Sequence, residues 1–332
     1  MKKLFVFAAS AMMVFASCTD NEIVYQNETP QEISFFSVAN KMTRATQYAI
    51  DGTAFTHENM VVSAYLAAGT GVTLGNYFVD AEFTKANGAT YFTAGKYWPI
   101  QASTLNFLAV APEVTSAVTT DFTNGEATVT VASNETNQHD VMYAVGQGVK
   151  SDNTAPEKVD MEFQHALAWV NFTFSASSDG IKINSVTVNN ARYNGTLTVT
   201  STNYTATGTQ AVTATWNNAQ ATTNAQVVPE EQAVTLNKGE AAITWGKGLL
   251  VVPCTATNFV INYSVTVGND IHEYEYTYST GLTWEMGKKY NYNISMGLQE
   301  ININPSVQLW NDADGDGVEE DGEKNDTDIT IQ

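Results

Sequence analysis

The sequence predicts an all-β protein of two tandem antiparallel β-sandwich domains behind an N-terminal secretory segment, and three observations carry that prediction. Of the 332 residues 43% are hydrophobic and only 15% are charged, against about a quarter charged in an ordinary globular protein. Threonine, asparagine and aromatic residues take up the difference, a composition suited to pleated, half-buried strands. From residue 33 onward, short runs rich in Val, Ile, Thr, Tyr and Phe alternate with turn dipeptides. No apolar pattern at helical spacing persists beyond a few turns. The length suits two domains of ordinary size, each able to bury its own core, and the apolar content excludes a random acidic coil. Acidic residues number 35 against 15 basic ones, a formal net charge of -20, with only two arginines, Arg44 and Arg192. Such a chain offers no basic surface to phosphate backbones, which excludes nucleic acid as a partner.

Met1-Lys2-Lys3 is a short basic region, and Leu4 to Phe15 is a nearly unbroken apolar run ending in Ala16-Ser17-Cys18. The run is too short to cross a bilayer about 30 Å thick, which takes about 20 residues, so residues 1–17 read as a secretory signal. The small residues before Cys18 resemble a bacterial lipobox, in which the leader is cut before the cysteine and the thiol carries a diacylglycerol. Phe15 is a less usual occupant of its lipobox position. Cys18 is then a lipidation site, which leaves Cys254 as the remaining thiol and no intramolecular disulfide. Thr19-Asp20-Asn21-Glu22 resembles the acidic surface-export signal of some lipoproteins, and residues 19–32 are polar enough for a tether.

Ile33-Ser34-Phe35-Phe36-Ser37-Val38 is a strand-like run, and Asn40 to Thr46 after it is a soft, basic loop open to proteolysis at Arg44. Phe35 and Phe36 side by side break strict alternation, so either one faces solvent or a bulge intervenes. Asn87-Gly88, Asn124-Gly125, Asp179-Gly180 and Asn194-Gly195 each lie between strand-like runs and suit type I′ hairpins. Alternation is clearest in Ala127 to Val131 and Ser185 to Val188. The polar stretch Ser151 to Glu157 contains one of only seven prolines and marks a linker. The resulting division is 1–17 signal peptide, 18–44 lipidated tether and strand, 45–155 and 156–310 the two sandwiches, and 311–332 an acidic tail.

Five features, in order, resemble the fimbrillin family, the type V pilin subunits of Gram-negative anaerobes. They are the lipobox at Cys18; the strand and arginine between Ile33 and Ala45; and Tyr97-Trp98-Pro99 with Leu105 to Pro112. Asp140 to Ala144 leading to Phe163 to Val170 is the fourth, and Gly287 to Tyr292 with Val307 to Trp310 the last. The resemblance implies transthyretin-like or immunoglobulin-like sandwiches and a precursor anchored in the outer membrane through lipid on Cys18. It further implies an arginine-specific protease cutting between Arg44 and Ala45. The strand bearing Ile33, Phe35 and Val38 would leave, and another pilin subunit would fill the groove by β-strand addition. Such a head-to-tail contact generates an open filament. At the other terminus, Asp328-Ile329-Thr330-Ile331-Gln332 alternates as a donor strand would, with Ile329 and Ile331 as plugs; it equally suits closing its own sheet.

Asp312, Asp314 and Asp316, with Gly317 and with Glu323 at loop position 12, match the spacing of an EF-hand calcium loop. The flanks read as strand rather than helix, Glu319 stands where an apolar residue is preferred, and residues 311–332 hold nine acidic residues against one lysine. A solvated acidic linker is therefore the alternative to a calcium site. His57, His139, His165 and His272 are scattered singly, and His165 in its apolar run reads as a hydrogen-bonded core residue. No nucleophile elbow, phosphate loop or dinucleotide fingerprint occurs, so no enzyme is expected. Trp98, Trp216, Trp245 and Trp284 suit a core or an exposed carbohydrate platform. The rival to a pilin is thus a permanently anchored surface protein that binds a glycan or a host protein.

Overall fold

The structure, a computed structural model, describes residues 30–39, 59–69, 75–87, 90–111, 118–121, 126–132, 140–151, 154–156, 158–202, 211–221, 225–227, 233–246, 248–298 and 300–309. Every regular element among them is a β-strand, as the β-branched and aromatic runs require.

The first part of the chain supplies β1 (Glu32–Ala39), β2 (Asn59–Gly69), β3 (Gly75–Asn87), β4 (Thr90–Tyr97), β5 (Ser103–Ala111), β6 (Val118–Asp121), β7 (Glu126–Ala132), β8 (Met142–Lys150) and β9 (Val159–His165). Seven of these pair in the order β1-β4-β3-β2-β5-β8-β9, and β9 returns to β1, closing a barrel where an open two-sheet sandwich was expected. Closure follows from β1 having a ladder on each side, antiparallel to β4 and parallel to β9. Met60, Val62, Ala64, Phe83, Tyr91, Leu105, Phe107 and Met161 fill the interior. All nine residues of β5 are buried. Leu105, Phe107 and Ala109 face the barrel core, while Leu108 and Val110 join a second apolar layer outside it, and a strand covered on both faces reads as a continuous apolar run.

The later elements are β10 (Ala168–Ala176), β11 (Ile181–Asn189), β12 (Arg192–Thr202), β13 (Ala211–Ala221), β14 (Ala225–Val227), β15 (Val234–Leu236), β16 (Ile243–Thr244), β17 (Leu249–Val251), β18 (Cys254–Thr255), β19 (Asn258–Val267), β20 (Asp270–Tyr278), β21 (Thr283–Trp284), β22 (Lys288–Met296) and β23 (Ile301–Leu309). One sheet runs β16-β10-β22-β23 with β17 also on β10; a second runs β14-β11-β19-β20 with β15 also on β11. Both line one core, where Phe172 meets Phe259 edge-on at 5.0 Å and stacks on Tyr292 at 5.5 Å. A third sheet, β13-β12-β7-β6, joins strands from both parts of the chain. Its Leu197 and Val199 pack with Leu108, Val110, Val141 and Tyr143 from the outside of the barrel.

Several local expectations change. The ladders β1–β9 and β10–β22 are parallel; parallel neighbours need a long crossover, which no short-range signal announces. Asp179-Gly180 does not close a hairpin, because β10 and β11 lie in different sheets. Gly180 takes a positive φ of 78° there, and the Asp179 carboxylate accepts the Lys238 backbone N–H at 2.9 Å. Asn194-Gly195 lies inside β12 at an irregularity in its ladder to β13, because Asn190, with φ of 63°, already makes the turn. Trp98, Trp245 and Trp284 are buried and Trp216 is half-buried, its Nε1 donating to the Ala166 carbonyl at 2.6 Å, so core rather than platform is their place.

Candidate functional site

β1 sits between two strands that depend on it. Its alternation survives the Phe pair: Ile33 and Phe35 are fully buried, while Phe36 is turned outward. No bulge is needed at Phe36; the ladder to β4 slips instead between Glu32 and Ser34. Phe35 meets Phe83 edge-on at 4.8 Å and 76°, and Phe107 at 4.9 Å and 81°. Those rings continue to Phe78, which lies 6.2 Å from Phe83 and 6.4 Å from Phe107, and to Trp98, 6.0 Å from Phe107. Edge-to-face contacts of this kind add to the area a ring buries.

On the parallel side, Phe35 to Ala39 pair with Val159 to Phe163. The neighbour on the other flank, β8, pairs with β9 only at His165 and Gln164. Among the described residues, then, Val159 to Phe163 have β1 as their sole ladder partner. Beyond those two pairs β9 lies close to β8 without pairing along it, and two glycines of β8 leave room for its neighbours. A Cβ on Gly146 would lie 2.4 Å from Met161 Sδ and 3.0 Å from the Asp160 carbonyl oxygen, and one on Gly148 3.0 Å from Val159 Cγ2 and 2.3 Å from Trp98 Cη2, beyond the end of β4. Val38 pairs opposite Glu162, one place out of step with the row of Ile33 and Phe35.

The strand's entry is held as well. The Gln31 carbonyl accepts the Trp98 N–H at 2.8 Å. Its side-chain amide accepts the Ala155 N–H at 3.3 Å and donates to the Ala155 carbonyl at 3.4 Å. Beneath it, the Lys150 ammonium donates to the Pro99 carbonyl at 2.9 Å and to that of Ile100. Tyr77 donates its hydroxyl to the Tyr97 carbonyl at 2.8 Å, and Tyr143 to Gln164 Oε1 at 2.9 Å. Burial pushes both phenols above the ordinary tyrosine range. His165 Nδ1 lies 2.9 Å from the buried Asp140 carboxylate, the partner expected of a core histidine.

Of the sequence-predicted positions, Ile33 and Phe35 lie together in this seat. Cys18, Arg44, Ala45, Asp312, Asp314, Asp316, Glu323, Ile329 and Ile331 fall outside the described residues. Among the described residues no three His, Cys, Asp or Glu side chains gather as a metal-holding group. Sequence reasoning missed Phe83, Phe107, Met161 and Gln31. The one local signal was Gly146-Gln147-Gly148, glycines two apart within a strand, which mark a close approach.

The model of a family described as fimbrillin-like matches residues 43–310. No curated protein matches the chain. A solved candidate cell adhesion protein from Bacteroides ovatus aligns over 85% of this chain and 99% of its own, with 13% identity and a TM-score of 0.52. Another from Bacteroides uniformis aligns over 84% and 98%, with 16% identity and a TM-score of 0.49. A fimbrial assembly protein from Parabacteroides distasonis aligns over 85% and 97%, with 13% identity and a TM-score of 0.40.

Proposed function

The chain belongs to the fimbrillin-like family, and from that premise we propose that it is a surface subunit of a fimbria, exported as a lipoprotein and matured by losing β1. Lipid on Cys18 holds the precursor in the outer membrane. An arginine-specific protease cuts between Arg44 and Ala45, after which no covalent bond retains residues 18–44. The strand bearing Ile33, Phe35 and Val38 departs, and another subunit's extended segment takes its seat. Ile329 and Ile331 in the acidic tail 311–332 are this chain's contribution to a neighbour's seat.

One observation carries the reading. The strand that closes the barrel lies wholly upstream of Arg44, and it buries Ile33 and Phe35 completely while supplying the only ladder partner of residues 159–163 among the described residues. Losing it exposes backbone donors and acceptors beside an apolar row, and such an edge recruits a strand. Main-chain bonds then give affinity and alternate side chains give register.

The test is Arg44→Ala in a cell that makes the filament. Wild type should yield protein beginning at Ala45 by mass spectrometry and a ladder of high-mass species. The variant should remain a monomer beginning at lipidated Cys18. Identical behaviour of the two would favour the anchored surface protein that binds a host protein or glycan without polymerising.

A further inference from the structure

Resting on that exchange reading, we propose that the seat of β1 selects its occupant by an aromatic ring. The preferred strand carries an aliphatic residue and, two places on, a phenylalanine or tyrosine, and it comes from a chain other than a second copy of this one. The two inward residues of β1 differ in chemistry. Ile33 is an aliphatic residue, fully buried in the barrel core. Phe35 is the hub of a ring cluster, edge-on to both Phe83 and Phe107, which in turn lean on Phe78 and Trp98. An aliphatic side chain there is smaller than phenylalanine and has no ring quadrupole, so it leaves a gap and gives up both edge-to-face contacts.

The chain's own alternating terminal segment, Asp328-Ile329-Thr330-Ile331-Gln332, presents isoleucine at both inward positions whichever way it enters. It therefore underfills the Phe35 pocket. A strand pairing aliphatic with aromatic at i and i+2 restores what β1 supplied. Because every extended segment offers similar main-chain bonds, side-chain fit in this pocket is what tells one donor from another.

The experiment cuts the full-length protein at Arg44 and measures displacement of a fluorescent peptide of residues 30–39 by unlabelled peptides. The unaltered 30–39 peptide should compete well, and its Phe35→Ile version at least about tenfold less well, the weight of losing two ring contacts and some packing. The peptide of residues 324–332 should compete weakly, and its Ile331→Phe version about tenfold better. Equal competition by phenylalanine and isoleucine peptides overturns the selectivity and leaves strand exchange standing. Failure of every peptide to enter, the unaltered one included, overturns strand exchange and the selectivity with it.

Discussion

β1 and β20 are treated oppositely by the molecule. β1 is laddered on both sides and buries Ile33 and Phe35 completely. β20 is laddered to β19 alone among the described residues, and nearly all its side chains are exposed, Ile271 by 66%. Along β20 itself Asp270, Glu273 and Glu275 are exposed, and Tyr274 stacks on Tyr263 at 5.4 Å. Carboxylates along an edge resist the approach of another strand, and at the far side of the facing sheet Pro305 within β23 removes a backbone donor. These two outer strands, β20 and β23, thus resist pairing by means of their own residues. The barrel keeps its edges only while a strand from upstream of Arg44 is in place. Whether an edge tolerates solvent depends on what lies beneath it.

Truncating Phe35 should have the largest effect. Phe35→Ala in the uncut protein should cost roughly 3–5 kcal/mol of barrel stability, the usual range for emptying a buried phenylalanine site, read by denaturant unfolding. A loss under about 1 kcal/mol would mean that β1 closes nothing important. Gly148→Ala should cost about 1–3 kcal/mol by overpacking, since the new methyl meets Trp98 Cη2 at 2.3 Å and Val159 Cγ2 at 3.0 Å; a neutral result in the same titration would mean that the Trp98 ring is not held tightly against β8. Gln31→Ala removes weak bonds at a partly exposed site, so a loss of about 1 kcal/mol or less is expected. It should appear first as faster hydrogen exchange at Val159 to Phe163. The smallest effect belongs to β20: Ile271→Ala should lie within about 0.5 kcal/mol of wild type, as surface substitutions do. A larger loss would show that this edge is covered in solution.

Much of the strand inventory was legible because period-2 alternation and β-branched content are local properties. The runs Ala127 to Val131 and Ser185 to Val188, where alternation is clearest, both lie in strands, and Asn87 ends β3 opposite Thr90 at the start of β4. The failures share a cause. Asp179-Gly180 and Asn194-Gly195 have hairpin chemistry, but the choice between a return within one sheet and a crossing to another is made by distant strands. For the same reason Phe83, Phe107 and Met161 gave no sign of their association with Phe35: each is an ordinary inward residue of its own strand.

By itself, then, the sequence determined the all-β class, the arginine-poor acidic surface, the strand at Ile33 to Val38 and its position ahead of Arg44, because composition and alternation are written residue by residue. That this strand closes a barrel, runs parallel to β9 and places Phe35 edge-on to two other rings emerges from the folded arrangement. Those facts arise from pairing between segments more than 120 residues apart, Phe35 with Val159 among them. Long-range pairing of this kind is settled by the joint packing of all the strands, with no short-range signal to announce it.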